Sequence, residues 1–334
     1  EEDTVTICYT SGTTGDPKGI MLTHRNYWTN CHDALALFGD IFRFSTLVIL
    51  PVDHSFAHTV AIYTALLAGI CLSFVDSRGG GMGTLRNIPI NLKEVEPDFL
   101  LTVPALSGNF MRKIVAGIAE KGGFVERLFR AGIAAGVARN GDGFARVGIG
   151  VRLRTFIPHG LARAIVFGAV KRAVFGRNIR YCVGGGALLD VKQQEFFAAL
   201  GVPIFQGYGL TEAAPILSSN TPARHKFGTS GVVCPSVECT IRRPDGTLCP
   251  TGEAGEIVIR GGNVMKGYYR NPAATAKALR DGWLWTGDLA YLDADGFLVV
   301  VGREKALLIA DDGEKYSPEE DRKSTRLNSS HRIR

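Results

Sequence analysis

The chain has 334 residues, 46% of them hydrophobic, and a formal net charge of +6, enough for a large core and for two or three domains or subdomains. Its seven cysteines show no CxxC spacing and no local histidine cluster, which argues against a zinc site or a disulfide framework and for reduced thiols in a cytosolic protein. No apolar run reaches the ~18 residues that span a bilayer, and the first residues lack the basic start and apolar core of a signal peptide, so the expectation is a cytoplasmic protein, at most peripheral at the inner face of a membrane.

In chain order, the apolar run Val5–Tyr9 predicts a buried strand. It leads into Thr10-Ser11-Gly12-Thr13-Thr14-Gly15-Asp16-Pro17-Lys18-Gly19. Glycines that tolerate φ > 0, four hydroxyls and the fixed charge of Lys18 make this a loop built to hold a polyphosphate, hung from the C-terminal end of a strand. It is not a Walker loop: Gly19 follows Lys18 where Ser or Thr is required, and Pro17 breaks the helix that should begin there. Helices at Asn26–Leu37 and Ala57–Ala68 and strands at Leu47–Leu50 and Ile70–Val75 then give the βαβα pattern of a mostly parallel sheet covered on both faces. His54 sits between two of these elements, beside apolar residues, where a histidine is often a core residue.

A strand at Phe99–Val103 precedes a basic helical block. Residues 111–180 carry fourteen lysines and arginines against Glu120, Glu126 and Asp142, a net +11. Within it Ile114–Ile118 and Leu161–Phe167 alternate apolar faces with arginines at helical spacing, which suits either an anionic membrane surface or solvated basic helices packed on a core. Aromatic residues are not interleaved with the charges, so nucleic acid is not an expected partner. Next come a strand at Ile179–Val183, the turn Gly184-Gly185-Gly186-Ala187, a helix at Val191–Leu200, and a strand at Val202–Gln206 that runs into Tyr208-Gly209-Leu210-Thr211-Glu212. After about Phe227, short alternating strands with turns at Pro244-Asp245-Gly246 and Asp293-Ala294-Asp295-Gly296, and one helix near Asn271–Leu279, predict a small β-rich subdomain. It contains Trp285-Thr286-Gly287-Asp288 and ends at Gly302-Arg303-Glu304-Lys305.

The Tyr9–Gly19 segment resembles the phosphate-binding signature of the adenylate-forming (AMP-binding) superfamily of acyl-CoA synthetases, luciferases and peptide-synthetase adenylation domains. The resemblance continues at Tyr208–Glu212, Trp285–Asp288 and Gly302–Lys305, in the family's order, over nearly all of residues 4–320. It implies an α/β fold of layered, mostly parallel sheets with flanking helices over residues 1–227, truncated at its N-terminal side, and a small β-rich subdomain over 228–301. Residues 302–320 then form a hinge and the start of a C-terminal domain that is otherwise missing. The implied ligands are ATP, Mg²⁺ and CoA.

By the same resemblance Thr10, Ser11, Gly12, Thr13, Thr14 and Gly15 cradle the β- and γ-phosphates with Lys18 nearby. Thr211 touches the α-phosphate, Glu212 helps hold Mg²⁺, and Tyr208 and Gly209 with Gly185, Gly186 and Ala187 receive adenine. Asp288 binds the ribose hydroxyls, Arg303 adds a ribose or phosphate contact, Lys305 is the hinge, and His54 lines the acyl pocket and thiol tunnel. Val103-Pro104 after Pro97-Asp98, the basic block and Phe205-Gln206-Gly207 point to the long-chain fatty-acid branch: a ligase that makes acyl-CoA from a fatty acid, ATP and CoA through an acyl-adenylate. The rival readings are an acyl-AMP ligase that serves a carrier protein and a silent nucleotide- or acyl-binding module.

Through Tyr316–Glu320 the chain follows the family pattern, whereas Asp321–Arg334 reads as the translation of a common sequencing adapter. The expectation is that 321–334 is a non-native tail, that the native protein continues, and that an N-terminal part precedes Glu1. The family's adenylating lysine stands late in the C-terminal domain, and between Lys315 and Arg334 no lysine has that context. The resemblance therefore implies that this chain binds ATP but forms acyl-adenylate slowly.

Overall fold

The computed structural model describes residues 1–10, 17–39, 41–303, 308–309 and 315–316. The short apolar runs become a seven-stranded sheet in the order Cys71–Phe74, Ser45–Val48, Phe99–Thr102, Tyr181–Gly184, Ile204–Gly209, Ile216–Ser219, Val232–Val233. The first five strands are parallel and the last two are added antiparallel. Phe99–Thr102 and Tyr181–Gly184 are buried at every position, as central strands covered on both faces must be.

Helices connect and cover this sheet: His24–Phe38, Pro104–Lys121, Gly123–Asn140 and Val191–Leu200, with Ile149–Ala162 running through a π-helical turn at Arg163–Phe167 into Gly168–Phe175. Leu92, Leu100, Phe110, Ile114, Ile118, Phe129 and Phe197 share one core beneath them. Ile114 and Ile118 are thus core residues, and the helix Pro104–Lys121 is one of the solvated basic helices packed on a core. Among the described residues no helix is long and apolar enough to cross a membrane.

The β-rich part is an antiparallel sheet of Glu238–Arg242, Gly255–Arg260, Trp283–Leu292 and Leu279–Arg280, with Leu298–Arg303 paired to Trp283–Leu292. Pro272–Ala278 is its helix, capped by Asn271. The texture changes near Phe227 in sequence, but Val232–Val233 still belongs to the seven-stranded sheet.

Two expectations need correction. Thr4–Thr10 is not a buried parallel strand: it pairs antiparallel with Lys18–Thr23, and Val5, Ile7 and Tyr9 are exposed. Only seven residues separate Thr10 from Lys18, too few for the crossover of a dozen or more that parallel pairing needs. The helix Gly80–Val95 was not expected at all, because its glycine-rich start and internal Pro89 obscure the helical period.

Candidate active site

The strand order reverses between Ser45–Val48 and Phe99–Thr102, and open α/β sheets bind ligands at the carboxyl ends of strands beside such a reversal. A cavity of about 540 Å³ lies there. His54 and Ser55 reach it after Ser45–Val48, Gly185 and Gly186 follow Tyr181–Gly184, and Tyr208 to Glu212 close the end of Ile204–Gly209. The antiparallel sheets supply another wall: Thr10 and Lys18, then Tyr268, then Thr286, Gly287 and Arg303. The cavity continues between Phe38, Ile41, Ile70, Phe99 and Val183, side chains of one apolar core, and Leu37, which packs against the neighbouring one.

Two glycines sit at close approaches, the first of which requires glycine. A Cβ on Gly209 would stand 2.0 Å from the Pro215 carbonyl oxygen, and one on Gly185 would stand 3.1 Å from the Phe56 ring. Any side chain at Gly209 would push apart the strand Ile204–Gly209 and its partner Ile216–Ser219, and with them the Thr211–Glu212 turn.

That turn is a single 3₁₀ turn, Thr211–Ala213. The Thr211 hydroxyl is 3.2 Å from Ser55 Oγ, and the Tyr268 hydroxyl donates to Glu212 Oε1 at 3.0 Å. Lys18 Nζ lies over the Tyr268 ring, 5.0 Å from its centre. Tyr268 is therefore a strut between the basic and acidic side chains, and its strand, Gly267–Tyr268, pairs antiparallel with Lys18–Thr23 so that Tyr268 stands opposite Ile20. Burial, then the charge of Glu212, hold the Tyr268 phenol well above its ordinary pKa, so it remains a donor at neutral pH.

Asp288 stands behind the wall, 4% exposed. Arg303 Nε donates to its Oδ1 at 2.9 Å and the Tyr208 hydroxyl to its Oδ2 at 2.5 Å. Burial raises the Asp288 pKa, and these two donors only partly offset it. The Tyr208 phenol is pushed well up, first by burial and then by the Asp288 charge.

Of the residues singled out in the sequence, Thr10, Lys18, His54, Gly185, Gly186, Tyr208, Gly209, Thr211, Glu212 and Arg303 line one cavity. Ala187 does not: it is exposed, and its carbonyl accepts from Gln206 Nε2 at 3.2 Å. His54 is exposed and its Nδ1 accepts from the Phe56 amide. Ser11, Gly12, Thr13, Thr14, Gly15 and Lys305, with the 321–334 tail, lie outside the described residues. Sequence reasoning missed Tyr268 and Ser55, whose partners are 56 and 156 residues away. No local pattern marks such contacts.

The comparisons agree with this geometry. The family model for AMP-binding enzymes matches residues 1–269. Long-chain-fatty-acid–CoA ligase FadD15 of Mycobacterium bovis is 31% identical over 319 residues, 95% of this chain and 49% of that protein. The peroxisomal acyl-CoA ligase 891 of Penicillium brevicompactum is 32% identical over 325 residues, 95% of this chain and 44% of that one. O-succinylbenzoate coenzyme A synthetase from Bacillus subtilis, solved in complex with ATP and magnesium ion, is 26% identical with a TM-score of 0.67 over 96% of this chain and 54% of that chain. The chain thus spans about half the length of the relatives it matches. Residues of four motifs that line one cavity at a sheet reversal, and a family model that matches residues 1–269, lead to one conclusion: the chain belongs to the AMP-binding enzyme family.

Proposed function

We propose that the protein activates a long-chain fatty acid with ATP and passes the acyl group to CoA in the cytoplasm. The observation that carries this reading is the continuity of the cavity, from the polar cluster Lys18, Thr211, Glu212 and Tyr268 to the apolar lining of Leu37, Phe38, Ile41 and Phe99. A carboxylate with a hydrocarbon tail suits both ends: the tail leaves water for apolar side chains while the head stays among charged groups.

In the first step a carboxylate oxygen attacks the α-phosphorus of ATP and pyrophosphate leaves. In the second the CoA thiol attacks the acyl carbonyl carbon and AMP leaves. The chain's own residues position these steps. The Lys18 ammonium offsets charge on the departing phosphates, with the segment from Thr10 to Gly15 as its partner in the cradle. Thr211, steadied by Ser55, offers its hydroxyl to the α-phosphate. Tyr208 and Gly209 border adenine together with Gly185 and Gly186. Asp288 receives the ribose, which requires that Arg303 or Tyr208 share its oxygens.

Glu212 fits a magnesium ion that arrives with the nucleotide. It offers a hard oxygen ligand at the cavity, braced by Tyr268, and magnesium is commonly bound by one or two carboxylates plus substrate phosphates. When bound, the ion would neutralise phosphate charge as the α-phosphorus is attacked. In this reading His54, beside Phe56, serves the acyl and thiol end, and Lys305 acts as the hinge.

The test is pyrophosphate release against a series of carboxylic acids, using the protein from its complete gene. A preference for long chains with CoA as acceptor supports the reading. A preference for short or aromatic acids overturns the substrate class, and transfer only to a carrier-protein phosphopantetheine overturns the acceptor.

A further inference from the structure

We propose that the helix Ile149–Ala162 is a docking face for an anionic lipid surface. The proposal concerns a surface outside the cavity and stands apart from the reaction assigned above.

An ordinary surface helix has one apolar stripe, and that stripe is buried. This helix has two. Its inner side carries Thr155 and Ala162, which are 4% and 0% exposed, and the turn that follows adds Val166 and Phe167 to the core. Its outer side carries Ile149, Leu153, Phe156, Ile157 and Leu161, which are 75%, 70%, 68%, 67% and 49% exposed. At about 100° per residue these five fall within an arc of about 140°, opposite the buried side. The core of the described residues does not cover them.

The charges around that arc identify the occupant. Arg152 and Arg163 border it on one side and Arg154 on the other, and all three are exposed. Between Asp142 and Asp190 the sequence has eight lysines and arginines and no acidic residue. Ion pairs in this region go to Arg130, Arg177 and Arg180, and among the described residues none engages Arg152, Arg154 or Arg163. Nucleic acid would use the arginines but leave the apolar arc in water. A lipid surface uses both, because the apolar side chains enter the acyl boundary while the guanidinium groups stay at the phosphate level.

The test is sedimentation of the protein from its complete gene with vesicles of phosphatidylcholine alone, or with phosphatidylserine as about a third of the lipid, at low and high salt. Binding is expected with phosphatidylserine vesicles and should fall as salt rises. Phe156→Asp/Ile157→Asp should lower the partition coefficient at least about ten-fold. Arg152→Glu/Arg154→Glu/Arg163→Glu should lower it about 100-fold or more, at about five-fold per basic residue. Both variants should keep the wild-type melting temperature and pyrophosphate release with a water-soluble acid. If the first variant fails to fold, the arginine variant decides: loss of binding upholds the proposal and wild-type binding overturns it. Failure of the wild type to bind, or equal binding to both vesicle types at every salt concentration, also overturns it.

Discussion

Tyr268→Phe isolates one bond in the proposed site. The substitution keeps the ring, and with it the contact 5.0 Å from Lys18 Nζ, but removes the hydroxyl that donates to Glu212 at 3.0 Å. A hydrogen bond to a charged group contributes about 1.5–3 kcal/mol, and because Glu212 is partly exposed the lower end applies, about 1.5 kcal/mol or roughly ten-fold in rate. Tyr268→Leu removes the ring contact as well, a further ~0.5–1 kcal/mol or about two- to five-fold. The assay is initial-rate pyrophosphate release at saturating acid, with ATP and magnesium varied. Tyr268→Phe should lower kcat/KM for ATP about ten-fold and raise the magnesium concentration needed for half-maximal rate, and Tyr268→Leu should do more of both. If Tyr268→Phe behaves as wild type while Tyr268→Leu is impaired with a lowered Tm, Tyr268 is a packing residue and the bond to Glu212 does not position the carboxylate.

Asp288 predicts a pH dependence. Burial raises its pKa above 3.8, so it takes up a proton at a higher pH than a free aspartate, and ATP affinity measured by calorimetry should start to fall on acidification above that value, a limb that Asp288→Asn removes. For stability the sign is opposite: the ionised form is a cost fully present above the folded pKa and relieved as pH falls toward 3.8. Lys226 Nζ lies 2.7 Å from both Asp293 and Asp295 and ties the seven-stranded sheet's flank to a turn of the antiparallel sheet. Lys226→Ala should lower stability by ~1 kcal/mol, read as a drop of a few degrees in Tm with kcat retained. Ala34 is 5% exposed and lines the cavity; Ala34→Leu should raise KM for the longest acids and shift the preferred chain shorter by about two to four carbons, at ~1–3 kcal/mol of overpacking. An unchanged chain-length profile in a folded Ala34→Leu variant would place the acyl tail elsewhere.

Much of the fold was readable because its signals are local. Phe99–Thr102 and Tyr181–Gly184 are short apolar runs bounded by turn residues, and Val191–Leu200 is a helix with Asp190 as its N-cap. Thr10 and Lys18, the Thr211–Glu212 pair and Arg303, each part of a short local motif, were legible as residues that meet at one cavity. Pairing direction was not legible. Val5–Tyr9 has the composition of a buried strand, and only the short distance to Lys18 betrays a hairpin. The second apolar face of Ile149–Ala162 was hidden too, because the sequence shows that a helix is apolar but not which side the core has taken.

The unreadable contacts share a cause. Lys18 and Tyr268 are brought together by a long-range strand pairing, in which Gly267 meets Met21 and Tyr268 meets Ile20. That pairing is locked from the side: the Asn26 amide donates to the carbonyls of Gly262 and Val264 at 2.8 and 2.7 Å, while its oxygen accepts from the Thr23 amide. Asn26 is 5% exposed, so without it the buried Thr23 amide would lose its partner, at about 1–3 kcal/mol, and two half-buried carbonyls would lose theirs at a lower cost. A helix-capping residue, ordinary in sequence, thereby fixes the segment that leads to Tyr268 and through it the distance between Lys18 and Glu212. The polar end of the cavity depends on the antiparallel strands at its rim as much as on the parallel sheet beneath it.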